Sequence, residues 1–222
     1  MWRDAALVAG RDLRVEARSR VALHQVAPFA LLVLVLFAFA LDPARQTLER
    51  ATPGLYWVTV LFSALLAVAR SAALDEAEGV RDALRLSALE PAGVFCGKAL
   101  AVAAELLALE ALLGFGVIVL YGAEPAGVGL LAATCVAATV GVAATGTLYG
   151  ALVSGLRVRE TLLPLLLLPV LAPVLIGATR AFEAALGGAP ADGWPWCGLL
   201  AVFAILYSVA GAVAYGTLLE GS

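Results

Sequence analysis

LYWVTVLFSALLAVARSAALDEAEGVRDALRLSALEPAGVFCGK, residues 55–98, runs from twenty almost purely apolar residues into a compact charged island beginning at Asp75. The apolar half is long enough to cross a hydrocarbon core as a helix, because about 20 apolar residues rising 1.5 Å each span about 30 Å. The island is not suited to lipid, so the junction reads as a membrane helix emerging into water. Outward from it, the same alternation repeats. Apolar windows predict spans over Val21–Leu41, Leu55–Leu74, Ala99–Tyr121, Gly129–Val153, Thr161–Thr179 and Trp196–Leu219. Continuous runs such as Leu31–Leu36 and Leu165–Leu171 do not alternate, which excludes a strand barrel. The expected fold is an all-α integral membrane protein with six transmembrane helices, one transmembrane domain filling residues 1–222.

Composition agrees. Hydrophobic residues make up 63% of the 222 residues and charged residues 14%, with mean hydropathy +0.99, far from the roughly 25% charged balance of soluble domains. The formal charge of -3 argues against nucleic acid as a partner. Cys96, Cys135 and Cys197 are odd in number, widely spaced and outside any C-x-x-C pair, so they read as small buried apolar residues.

Basic residues set the orientation. Arg3, Arg11, Arg14, Arg18, Arg20, Arg70, Arg81, Arg85, Lys98, Arg157 and Arg159 fall on one side, while Arg45, Arg50 and Arg180 fall on the other. The positive-inside rule then places both termini and the island in the cytoplasm. Ahead of the first span, Trp2, Ala6, Ala9 and Leu13 recur at helical spacing, predicting an amphipathic interfacial helix over residues 1–20. Two roles suit it, a topology anchor and a mechanical lever.

Within the island, residues 75–98, the acids Asp75, Glu76 and Glu78 suit the first turn of a helix. Gly79, Arg81, Leu84, Leu86 and Leu89 follow, and Pro91 ends or redirects the helix before the next span begins near Gly97 and Lys98. Leucines in an aqueous connector longer than a turn requires call for something to cover them, so the island reads as a docking element.

The fifth span carries Pro164, Pro169 and Pro173, each of which removes a backbone donor where no water is available, so a kinked or broken, substrate-facing helix is expected. Glu105 and Glu110 lie within the third span, about 140° apart around the helix, and so play separate roles. A structural hydrogen bond to another helix leads for them over a polar patch facing a partner. His24, at the start of the first span, reads as a solvated or hydrogen-bonding group in preference to an axial ligand of an iron cofactor. Gly146-Thr147-Leu148-Tyr149-Gly150 offers a small-residue packing face.

Gly93-Val94-Phe95-Cys96-Gly97-Lys98-Ala99 falls one residue short of a phosphate loop and ends in alanine where a magnesium-binding hydroxyl is needed. No nucleophile or zinc-protease motif stands elsewhere. No catalytic or metal-binding residue is expected, and any ATP and magnesium belong to another subunit.

An acidic pair, a glycine, a leucine-rich segment and a proline between spans two and three resemble the coupling element of ABC-2-type transporter permeases. More narrowly, Pro53-Gly54, Trp57-Val58, Leu65-Leu66-Ala67, Arg70, Asp75 to Gly79, Gly155-Leu156-Arg157, Leu162-Leu163 and the run Leu168 to Ile176 resemble the CcmB family, the haem exporter protein B family of cytochrome c maturation. Two departures stand out. Val102-Ala103 replaces a His-Trp pair frequent at the start of the third span, and Val158-Arg159-Glu160 replaces an Arg-Gly-Gly before the fifth. The resemblance implies a permease subunit in the bacterial inner membrane with a separate CcmA-type ATPase, CcmC- and CcmD-type membrane proteins and a CcmE-type haem chaperone. Haem is the implied cargo, or release of the haem-loaded chaperone is the implied work. An ABC-2 permease for a lipid, glycan or drug, and a membrane scaffold without transport, are the alternative expectations.

Overall fold

The computed structural model describes residues 1–19, 25–41, 45–77, 89–123, 125–153 and 158–220. These residues form seven helices: α1 (Trp2–Ser19), α2 (Ala27–Leu41), α3 (Arg45–Ala77), α4 (Pro91–Tyr121), α5 (Val128–Val153), α6 (Arg159–Leu186) and α7 (Pro190–Glu220). Five of them, α3 to α7, are long and apolar enough to cross a membrane. The sixth expected span contains α2, whose 15 residues reach about 22 Å, and its first four residues, 21–24, lie outside the described residues. The chain is an all-helical, multi-pass membrane protein.

Successive long helices alternate in direction. The ends of α3, α5 and α7 therefore meet the starts of α4 and α6 at one pole of the bundle, and α1 lies against that pole. The opposite pole gathers the end of α4 and the start of α5, where the Gly127 amide donates to the Ala185 carbonyl of α6 at 3.1 Å. The core is aliphatic with an aromatic centre of Tyr56, Trp57 and Phe182. Tyr56 stacks on Phe182 with centroids 4.7 Å apart, and Trp57 meets Phe182 edge-on at 5.3 Å. Such pairs contribute about 0.5–1.5 kcal/mol beyond their burial.

Several element boundaries differ from the sequence reading. Helix α3 continues past Leu74 to Ala77, so Asp75 and Glu76 occupy its last turn and do not open a new helix. Ala72, Ala73 and Leu74 are strong helix formers, and the first breaker, Gly79, comes later. Pro91 begins α4 at its first position after an extended Glu90 (φ -70, ψ 124). A fixed φ near -65° and a missing donor both suit a helix start, which is why this proline initiates where a stop was expected. The residues Gly93 to Lys98 are consequently helical.

The fifth span is not broken. Helix α6 runs unbroken through Pro164, Pro169 and Pro173. Its buried stripe is Leu163, Leu167, Leu171, Val174, Ala178 and Phe182, whereas Pro169 and Pro173 sit on the exposed face. A ring on the outer face does not wedge between packed helices, and the stripe holds the helix across each missing bond. Pro164, near the start of the helix, is half-buried.

Small residues set the closest approaches. A Cβ on Gly146 or Gly211 would run into Val68 or the Phe95 ring respectively, so α5 packs tightly on α3 and α7 on α4. Thr59, Ser63 and Thr145 return their hydroxyls to carbonyls one turn back, at 2.7, 2.9 and 2.7 Å, which satisfies them without water.

Candidate functional site

Of the island residues, Glu78, Gly79, Arg81, Leu84 and Leu86 lie outside the described residues, as does His24 in the N-terminal half. Their flanks are defined. Asp75 and Glu76 end α3; Leu89 is half-buried against a cluster of Val8, Val94, Phe95, Ala144 and Tyr215; and Pro91 is exposed at the tip of α4. The segment 78–88 thus joins two helix ends at the pole where α1 lies.

Helix α1 is fastened to both of those helices. Glycines at positions 93 and 97 of α4 let its backbone in: a Cβ on Gly97 would stand 2.7 Å from the Ala5 carbonyl and from Val8 Cβ, and one on Gly93 would stand 2.9 Å from the Met1 carbonyl. Ala5 and Val8 fill the contact and are buried. Of the face expected to be apolar, Trp2, Ala6 and Leu13 point outward, with Trp2 72% exposed, and Ala9 is half-buried. So α1 has two apolar faces, one against α4 and one free for an interface.

Two ion pairs complete the strap. Lys98 Nζ of α4, 3% exposed, donates to Asp12 Oδ2 at 3.4 Å, and Arg70 Nε of α3 stands 3.3 Å from Glu16 Oε2. Asp12 and Glu16 are one turn apart on α1, so one helix face grips α3 and α4 together. The Glu90 amide donates to Asp4 Oδ2 at 3.4 Å, tying the start of α1 to the start of α4. Glu105 is half-buried in the cleft that Arg11, Glu16, Arg70 and Ser71 also line.

Glu110 has different surroundings. It is 3% exposed, twenty residues into α4. Thr139 Oγ1 of α5 donates to its Oε1, and its backbone carbonyl accepts from the Tyr56 hydroxyl at 3.0 Å. Oε2 has no hydrogen-bond partner. The Cys135 thiol, engaged with the Tyr56 hydroxyl at 3.7 Å, also lies against the Glu110 carboxyl, as a weak donor short of a full hydrogen bond to Oε2. Glu105 and Glu110 thus face different neighbours, α1 and α3 for one and α5 for the other. Tyr121, near the far pole, donates to the Leu34 carbonyl at 3.0 Å and anchors α2.

Sequence reasoning did not find the Gly93 to Gly97 seam, the Asp12 and Lys98 pair or the Tyr56, Trp57 and Phe182 centre. The first had a readable signal, small residues four apart next to a proline at a helix start. The pair did not, because its members lie 86 residues apart.

Among the described residues, no group of three or more His, Cys, Asp and Glu is placed to hold a metal ion. A bundle of long apolar helices, with a helix strapped across two of them at one pole, defines a multi-pass membrane protein. The chain belongs to the CcmB family: the family described as CcmB protein matches residues 4–220. It is 36% identical to heme exporter protein B of Paracoccus denitrificans over 182 residues, covering 81% of this chain and 82% of that protein. It is 34% identical to heme exporter protein B of Escherichia coli K12 over 204 residues, 82% of this chain and 83% of that one. The match to heme exporter protein B of Bradyrhizobium diazoefficiens, 29% identical, extends over 95% of both chains.

Proposed function

We propose that this chain is the membrane permease subunit of an ABC-type haem exporter in cytochrome c maturation, seated in the bacterial inner membrane with both termini cytoplasmic. The names of its relatives support haem as the cargo. The basic residues of the α1 pole support the orientation, since Arg3, Arg11, Arg14, Arg18, Arg70 and Lys98 all belong to it.

The observation that carries the mechanism is the strap. The segment 78–88 connects α3 to α4 in sequence, and α1 grips both helices through Glu16 with Arg70 and Asp12 with Lys98. A force applied to that segment by a separate CcmA-type ATPase is therefore shared by two long helices that reach the opposite pole, and does not dissipate in one hinge. Asp75, Glu76, Glu78, Gly79, Arg81, Leu84, Leu86, Leu89 and Pro91 form the docking element. ATP and magnesium stay in the ATPase; this subunit contributes no catalytic group. The work done at the far pole is export of haem or release of a haem-loaded CcmE-type chaperone, with CcmC- and CcmD-type proteins alongside.

The test replaces Glu78 and Gly79 together, Glu78→Lys with Gly79→Leu, and measures both co-purification of the ATPase and its activity in the assembled complex. Loss of either supports docking. Unaltered assembly together with unaltered activity refutes it.

A further inference from the structure

Beneath α1 a cleft of about 700 Å³ opens between α2, α3 and α4, a volume typical of small-molecule sites. Leu13 and Ala17 of α1 form its roof, and Ser63 and Ala67 of α3 its back wall. Along α4 it runs from Glu105 to Leu112, about 10 Å. One turn further, α2 closes the floor: a Cβ on Gly116 would stand 3.2 Å from Leu34 and 3.7 Å from Leu31. Ala104, Ala108 and Leu112, successive turns of α4, are exposed and make the open edge. A slot roofed at one end, floored at the other and open sideways is too short for a transmembrane helix. Against about 15 Å for half of the hydrocarbon core, its depth suits an acyl chain.

The polar groups select the head of that chain. Glu16, Ser63 and Glu105 are the polar side chains of the wall. Ser63 donates to the Thr59 carbonyl at 2.9 Å, and Glu16 stands 3.3 Å from Arg70. Glu105, half-buried at the upper end, has neither a hydrogen bond nor an ion pair among the described residues. A carboxyl edged by hydrocarbon calls for a partner, and a cation carrying N–H donors is the complement of a carboxylate. At the rim, Arg14 and Arg18 are exposed, one turn apart and next to Ala17 on the surface of α1. Arg14 Nε donates to the Gly10 carbonyl at 2.7 Å, which leaves its terminal nitrogens and the Arg18 guanidinium to face a phosphate. A choline head carries no N–H to donate, and a glycerol head carries no cation.

We propose that this cleft binds one molecule of phosphatidylethanolamine, with an acyl chain in the slot, the ammonium donating to Glu105 and the phosphate at Arg14 and Arg18. The lipid joins α1 to α2 and α4, and so reinforces the strap from below. The inference depends neither on the cargo of the subunit nor on docking of an ATPase.

The experiment extracts the full chain from membranes into a mild detergent, removes lipid and titrates back dioleoyl phosphatidylethanolamine, phosphatidylcholine or phosphatidylglycerol, with bound lipid counted by native mass spectrometry. One phosphatidylethanolamine per chain should be retained in preference to the other two. Glu105→Gln should weaken its binding about tenfold, the range of one hydrogen bond to a charged group, and bring it level with phosphatidylcholine. Arg14→Gln with Arg18→Gln should weaken all three lipids together, because phosphate is common to them. Ala108→Trp, which fills the slot from an exposed position, should abolish retention, and decides the matter if Glu105→Gln does not fold. Equal retention of the three lipids in the unaltered chain, phosphatidylethanolamine binding indifferent to Ala108→Trp, or binding untouched by the paired arginine variant would each overturn the proposal.

Discussion

Removing the carboxylate of Asp12 should loosen α1 more than removing the ammonium of Lys98, although both break the same contact. The charges are 3.4 Å apart, with Lys98 3% and Asp12 20% exposed. Two unit charges at this separation attract by about 1 kcal/mol in water and about 5 kcal/mol at an effective dielectric constant of 20, before desolvation is subtracted. Partial exposure of Asp12 places the net loss in Asp12→Asn between these limits, at about 2 kcal/mol, because the charge opposite a buried ammonium disappears. Lys98→Met leaves a carboxylate that water reaches, and should cost about half as much. The double variant Asp12→Leu with Lys98→Met buries no charge and should recover most of the loss. For a chain of this length a loss of 2 kcal/mol corresponds to a fall in Tm of about 4–8 °C. A thiol-reactive dye reads it in detergent, since buried Cys197 and half-buried Cys96 and Cys135 report on loosening of the bundle. Equal destabilisation by both single variants, with a double variant that merely adds them, would refute a coupled buried pair.

The glycine seam predicts that Gly97→Leu releases α1 from α4: its Cβ alone would meet Val8 at 2.7 Å, overpacking costs about 1–3 kcal/mol, and limited proteolysis should then cut within α1. Gly211→Ala should destabilise by a similar amount because the methyl strikes the Phe95 ring, and Phe95→Leu in the same chain should restore the Tm. Thr139→Val should cost about 1–3 kcal/mol by leaving the second oxygen of Glu110 without a donor, measured as thermal unfolding in detergent. Tyr121→Phe removes one buried bond to Leu34 and should cost about 1 kcal/mol, read most sensitively as faster hydrogen exchange in α2.

Much of this architecture is legible in the sequence because lipid imposes a simple rule: where the backbone must satisfy itself, twenty apolar residues mean a helix. Helix α5 lies within one residue of its expected start, and α1 was visible from its period. Helix ends were less legible. Pro91 reads equally as a stop and a start until its neighbours fix the chain direction, and α3 overruns Leu74 because alanine and leucine propagate a helix whether or not lipid surrounds it. The three prolines of α6 are a different case. Their count signals strain, but only the packed structure shows which face they occupy, and Pro169 and Pro173 lie outside. Lys98 was read as one more charge in a topology count, since nothing local announces a partner on a helix 86 residues earlier.

The central claim is that force enters through the segment joining α3 to α4. A photoreactive residue at Leu84, compared with one at Glu49 near the opposite pole, tests this most directly in cells that also carry the ATPase subunit. Covalent capture of the ATPase from Leu84 and not from Glu49, weakened when Asp12→Asn loosens the strap, is the result this account predicts. Capture from Glu49 as readily as from Leu84, or none from Leu84 in an intact complex, would contradict it.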